Sequence, residues 1–235
     1  MKKLVDLAKK DVIFFLDNYK DLFFNECDLQ MNLAQFLNNR EKYDCVYLEY
    51  FVPGCTVQKQ IESTLVPPYS ANIQQNLYID IVVEKDGEFL PIELKYKTAP
   101  LRKNIFRFGE ELQGMNVLKN QGARDLGAYD FWRDVNRIEC LIKRFDNVKN
   151  GIVLFVTNDQ GYWTLPKKGT SPNYVNFSMR KGVHDPCKTW QGNTAMSASR
   201  PSFKLETDYP IQWMPIVIEK ETFKKDEFRY CLLEI

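Results

Sequence analysis

Between Leu77 and Thr98 apolar residues recur at every second position. Leu77, Ile79, Ile81 and Val83 make one such series, and Ile92, Leu94 and Tyr96 another. A period of two is that of a strand with one face buried. Asp86-Gly87 lies between the series, and Asp-Gly is favoured in two-residue hairpin loops. A hairpin with that loop sets Lys85 opposite Glu88, Val83 opposite Leu90 and Asp80 opposite Glu93. Pro91 then falls at a non-hydrogen-bonded position, where its missing N–H costs no bond within the hairpin.

The rest of the chain divides by the same reading. Leu4 to Phe24 predicts a helix, with Leu4, Leu7, Val12, Phe15 and Leu16 apolar. Leu29, Leu33, Phe36 and Leu37 form a helical stripe in a second helix, which Glu26 extends at its start. A third helix is clear from Ala128, where Phe131, Trp132, Val135, Ile138 and Ile142 are apolar. Asp130, Arg133, Asp134 and Arg137 read as its exposed i,i+3 and i,i+4 partners. Asp44 to Val52 predicts a strand ended by Pro53-Gly54, and residues 56–76 a loop or short element. Gly151 to Thr157 is wholly apolar, as in a strand covered on both faces. The stretch to about Phe108 reads as basic and irregular, followed by a helical region broken at Gly122 and Gly127. Residues 158–209 show no long regular element. Ile211 to Ile218 and Phe228 to Ile235 predict closing strands.

With 235 residues, 44% hydrophobic and 14% aromatic, the chain can bury a sizeable core. No repeat or linker divides it, which predicts one domain over 1–235. No apolar run approaches the roughly 20 residues of a membrane span, and no leader pattern stands at the start. The six cysteines include no C-x-x-C pair, which argues against zinc and for reduced thiols in a cytoplasmic protein. A single histidine, His184, excludes chemistry that needs paired histidines and is expected to be exposed.

The net charge of +1 is unevenly spread. Lys167, Lys168, Arg180, Lys181, Lys188, Arg200 and Lys204 face Asp185 alone between Asp159 and Glu206. They are interleaved with Tyr162, Trp163, Tyr174, Phe177, Trp190 and Phe203. Cations neutralise phosphates and rings stack on bases, so the segment suits nucleic acid. An insertion whose aromatics are core and whose lysines are solvated fits equally well. A second basic run holds Lys95, Lys97, Arg102, Lys103 and Arg107 without an acid.

The chemistry concentrates on the hairpin. Like charges directly opposite on a sheet are destabilising. Asp80 and Glu93 in that register most simply hold a cation, and Lys95 points to the same face as Glu93. The alternative is an ordinary hairpin with a solvated charged face. The pattern D-x12-E-x-K, carried by Asp80, Glu93 and Lys95, resembles the PD-(D/E)XK nuclease superfamily. Ile79 stands where a proline often precedes the aspartate. The run NQGARDLGAYDFWRDVNRIE after it resembles the arrangement in a bacterial group of these proteins.

The resemblance implies an α/β fold: a restriction-endonuclease-like mixed β-sheet core flanked by helices, here with an irregular basic C-terminal segment. It implies a Mg²⁺- or Mn²⁺-dependent nuclease that hydrolyses phosphodiester bonds, with DNA favoured over RNA by the resemblance alone. Asp80, Glu93 and the carbonyl of Leu94 would hold the metal, and Lys95 would serve catalysis. Glu26 is the candidate for an acidic residue supplied by an early helix, against the plain role of favouring the helix dipole. Gln121 matches a glutamine that such groups place near the metal, although an ordinary helix-start or loop residue is the preferred reading. Lys97, Arg102, Lys103, Lys167, Lys168, Arg180 and Lys181 are the candidate nucleic-acid contacts. Two-strand cutting would favour a homodimer. The competing expectations are a module on the same fold that binds nucleic acid or protein without catalysis, and an unrelated α/β protein.

Overall fold

The computed structural model describes residues 3–19, 21–67, 76–165, 172–191, 200–216 and 227–235. It is a mixed α/β structure built on a six-stranded mixed sheet. The sheet strands are β1 (Cys45–Val52), β2 (Leu77–Lys85), β3 (Glu88–Lys97), β6 (Ile152–Thr157), β11 (Met214–Ile216) and β12 (Phe228–Glu234). Their order is β1-β2-β3-β6-β12-β11. β3 and β6 run parallel, and the other neighbours are antiparallel.

Helices cover both faces. α1 (Leu4–Asn18) and α2 (Glu26–Asn38) lie on one. Leu16, Leu29, Leu33 and Leu37 pack there against Ile81, Ile92, Leu94 and Leu154, which point to that side by strand alternation. α2 begins where Asn25 caps it, its side chain accepting from Asp28 N–H at 2.8 Å. α4 (Arg124–Arg144) covers the other face, with Phe131, Trp132, Val135 and Ile138 against Val153 and Phe155. α3 (Gly54–Thr64) closes a smaller cluster through Val57 with Val52, Leu77, Ile79 and Val82. Among the described residues no helix is long and apolar enough to cross a membrane.

The hairpin register expected from Asp86-Gly87 is present, with Lys85 opposite Glu88, Val83 opposite Leu90 and Ile81 opposite Ile92. The β6 strand expected beside it pairs with β3, Glu93 opposite Val153 and Lys95 opposite Phe155. The first helix ends at Asn18 rather than Phe24.

Two expectations between Lys95 and Ala128 are overturned. The irregular basic stretch and the broken helix are instead a second hairpin, β4 (Leu101–Arg107) with β5 (Glu110–Leu118). Only Leu101 and Leu118, at its base, are buried, so no face imposes an alternating pattern. Gly127 lies within α4 and does not break it. A Cβ there would stand 2.2 Å from the Tyr162 hydroxyl, so the helix needs glycine for a close approach.

Residues 158–209 contain a 3-10 turn (Gln160–Tyr162), α5 (Pro172–Asn176), β7 (Gly182–His184), β8 (Cys187–Lys188) and β9 (Phe203–Lys204). β10 (Tyr209–Ile211) pairs with β7, and β8 with β9. This short-element region packs on α4 through Phe177, Phe203 and Tyr209.

Candidate functional site

The site lies where the sheet is interrupted twice. The β2–β3 ladder runs from Lys85–Glu88 to Ile81–Ile92 and stops one step before Asp80 and Glu93. On the other side, β1 pairs Leu48 with Ile81 and Tyr50 with Ile79, and Glu49 between them has φ of 48°. Asp80 is therefore skipped by both neighbours. Side chains replace the missing ladder. Gln30 Nε2 donates to the Asp80 carbonyl at 2.8 Å and to Glu49 Oε1 at 2.7 Å.

Past the parting point, β3 has backbone donors without a strand partner, and carboxylates take them. Leu94 N–H donates to Asp80 Oδ2 at 2.6 Å, and Tyr96 N–H donates to Glu26 Oε2 at 2.7 Å. Each carboxylate is fixed by one oxygen and keeps a second. Glu26, in the first turn of α2, thus reaches β3. Gln30, one turn later on the same face of α2, is a second contributor that the sequence reading passed over.

Alternation sends Glu93 and Lys95 to the α4 face, where a further expectation is overturned. Asp134 and Arg137 are not exposed partners. Asp134 is fully buried, its Oδ2 lies 2.7 Å from Lys95 Nζ, and its Oδ1 accepts from Arg137 Nη1 at 3.1 Å. Arg137 Nη1 lies 3.5 Å from Glu93 Oε1. Lys95 Nζ also donates to the Leu94 carbonyl at 2.8 Å. A signal for Asp134 was present: it stands three residues after Phe131 and four before Ile138, inside the apolar stripe of α4.

Burial dominates the electrostatics. It pushes the Asp80 carboxyl up to about 6, against the pull of Lys95 and the Leu94 N–H. Burial and then the Asp134 charge hold Glu93 well above the usual carboxylate range, against Arg137. Burial works against the charge on Lys95, but Asp134, Glu93, Glu26 and Asp80 around it raise its pKa overall. Lys95 is accordingly a fixed cation at neutral pH, while burial works against the charge on Asp80 and Glu93.

Among the described residues no three His, Cys, Asp or Glu side chains gather as a metal-holding group by themselves. The donors that converge are the Asp80 and Glu93 carboxylates and the Leu94 carbonyl, with Glu26 beside them. Glu93 Oε1 is buried and accepts no hydrogen bond. These are hard oxygen donors of the kind that suit Mg²⁺ or Mn²⁺.

The other candidates lie elsewhere. Gln121 is exposed ahead of α4, its N–H donating to the Thr98 carbonyl at 3.0 Å. Lys97 is half-buried at the end of β3. Arg102 and Lys103 lie on β4, where Arg102 donates to the Gly114 carbonyl. Arg180 bonds Ser178, and Lys181 is exposed. Lys167 and Lys168 lie outside the described residues.

The basic, aromatic segment is corrected in part. Tyr162, Phe177 and Phe203 are buried in the core, and Trp163 and Trp190 pack against it. The rings of Tyr162, Phe177 and Phe203 are thus spent on the core and are not presented to bases. Lys188 is not solvated either: it is buried with Nζ 3.8 Å from the Trp132 ring, and burial brings its pKa down to about 8. His184 is half-buried, its Nε2 2.6 Å from the Arg180 carbonyl, and burial lowers its pKa. All six cysteines are free thiols.

No family model, no curated protein and no solved structure matches this chain. The structure by itself defines a mixed α/β protein with a charged cluster at a break in its sheet.

Proposed function

We propose that the protein is a metal-dependent nuclease of PD-(D/E)XK type, which hydrolyses phosphodiester bonds in DNA. One observation carries the reading. At the point where β2 and β3 part, the Asp80 carboxylate and the Lys95 ammonium both bind the Leu94 backbone, with Glu93 next to it in the strand. Asp80, Glu93 and the Leu94 carbonyl would hold Mg²⁺ or Mn²⁺, with Glu26 beside them. A divalent ion there would supply a bound water of lowered pKa and offset charge on the phosphate.

The chain's own groups do the rest. Lys95 stays protonated, so it acts as a donor: its Nζ–H orients the attacking water or meets charge developing on the phosphate oxygens. Asp134 holds that ammonium by Oδ2, and Arg137 ties Asp134 to Glu93. Asp80, pushed up to about 6 by burial, loses its proton to become a ligand. Gln30 fixes the Asp80 backbone, and so the direction of its carboxylate.

A second reading has its own observation. Lys95 and Arg137 already lie against Asp134 and Glu93, which nearly balances the cluster without any added ion. On this reading the network is structural and the fold serves binding alone.

The experiment is cleavage of supercoiled plasmid and of single-stranded DNA with Mg²⁺, Mn²⁺ or EDTA, with a Lys95→Met variant beside the wild type. Metal-dependent cutting that the variant loses is the expected result. If neither protein cuts and calorimetry finds no Mn²⁺ binding, the nuclease reading falls and the structural one stands.

A further inference from the structure

The β4–β5 hairpin is built at a conformational cost that its own packing does not explain. Its loop is Phe108-Gly109, with φ of 53° and 85°. The Asp86-Gly87 loop of β2–β3 has nearly the same angles, 53° and 76°. Asp, Asn and Gly tolerate the first of these positions, whereas a bulky side chain there is an outlier. Phe108 is nonetheless held in it, with its side chain fully exposed at 106%. Phe106 is 68% exposed two residues earlier, so two rings stand in water near one tip. An isolated exposed ring needs no explanation; a strained one at the end of a projecting ribbon does.

The ribbon stands beside the candidate site. It leaves β3 after the short link 98–100, and Arg107 stacks on the Phe24 ring at 4.6 Å from the centroid. Phe24 is two residues before Glu26, whose carboxylate binds the unpaired edge of β3. A phosphodiester strand lying in the site would therefore pass the ribbon.

Resting on the nuclease reading, we propose that β4–β5 is a substrate arm and that Phe108 is the platform on which an unpaired base stacks. The charges select unpaired nucleic acid over duplex. Arg102, Lys103 and Arg107 lie on the ribbon with Glu110 and Glu111, so the ribbon is only weakly positive. Inserting a wedge into an intact duplex costs unstacking, which proteins offset with many phosphate contacts. A base that is already unpaired asks only for a ring face and a few cations nearby.

The test is fluorescence anisotropy of labelled single-stranded and blunt duplex DNA of one sequence, in EDTA, with the full chain. Wild type, Phe108→Ala and Phe108→Trp are compared, and thermal unfolding checks that each is folded. The expected result is tighter binding of the single strand than of the duplex. Phe108→Ala then weakens single-strand binding by roughly five- to a hundred-fold and duplex binding less, and Phe108→Trp restores it. Equal single-strand affinity for wild type and Phe108→Ala overturns the arm while leaving the nuclease reading intact. Loss of a dimer in Phe108→Ala by sedimentation, with unchanged DNA affinity, also overturns it and makes the tip a protein contact. A wild type that neither binds nor cuts any nucleic acid removes both readings together.

Discussion

β2–β3 and β4–β5 turn through almost the same backbone angles and end in opposite surroundings. The first hairpin is inside the sheet, between β1 and β6, and its charged groups face α4. Asp134, from outside the hairpin, ties them together. Among the described residues the second hairpin has no neighbour strand, and it exposes Phe106, Phe108 and Met115 to water. Each hairpin thus carries the residue type its environment least favours. Buried carboxylates are costly unless paired, and exposed rings in strained backbone are costly unless they find a partner. The first hairpin has its partners within the chain. The second does not, and that difference separates a site from a contact surface.

The sharpest way to break the comparison is to remove the partner from the buried hairpin. Asp134→Ala leaves Lys95 and Arg137 without their shared carboxylate. The expected loss is about 3–5 kcal/mol of stability, read by urea unfolding. Glu110→Ala on the exposed ribbon should stay within about 0.5 kcal/mol of wild type in the same assay. A loss below about 1 kcal/mol for Asp134→Ala would mean that the network is wet in solution. Chemistry comes next. Lys95→Met should slow metal-dependent cleavage by roughly a hundred-fold or more, the scale of losing one aimed donor. Calorimetric Mn²⁺ binding should persist in that variant, since Lys95 is not among the oxygen donors.

The two hairpins were also unequally legible. In β2–β3 apolar side chains recur at every second position, although both faces are covered, and Asp-Gly announces the turn. From these the register from Lys85–Glu88 to Ile81–Ile92 followed; the expected Asp80–Glu93 pair did not, because the ladder stops one step before it. β4–β5 buries only Leu101 and Leu118, so no burial pattern marks its strands, and Phe-Gly is not a turn signal. Asp134 and Arg137 were misread because their i,i+3 spacing also describes a solvated salt bridge. Only the position of Asp134 between Phe131 and Ile138 argues otherwise. Gln30 was missed because an amide in a helix gives no sign of an interrupted strand 50 residues away. In residues 158–209, basic and aromatic side chains were visible, but composition does not say which rings a neighbouring helix will cover.

Protonation gives a smaller effect, again confined to the buried hairpin. Burial raises Asp80 from 3.8 to about 6. The folded state then holds a proton that the unfolded chain has released, so this group's contribution falls as pH rises from about 4 to about 6. Below about pH 4 the carboxyl is protonated in both states and costs nothing. Asp80→Asn should match wild type near pH 4 and exceed it by up to about 3 kcal/mol at pH 8, without metal. The measurement is denaturant unfolding of both proteins across that range. A difference independent of pH would show that Asp80 is not held against its charge.

The smallest expected effect tests the comparison most directly, by exchanging the turns. Phe108→Asn places a side chain that tolerates the left-handed region where φ is 53°, and it removes an exposed ring. The folded protein should gain about 0.5–1 kcal/mol, seen as a modest rise in Tm. Asp86→Phe, made in the loop of equal geometry, should lose about 1 kcal/mol. Opposite signs in the two variants would show that the strain belongs to the residue and not to the hairpin. A stabilising Phe108→Asn that also weakens single-strand binding would then account for the phenylalanine: stability given up locally for contact with a ligand. If Phe108→Asn is neutral in both assays, the tip is only a tolerated turn, and the contrast between the two hairpins reduces to the buried charges of the first.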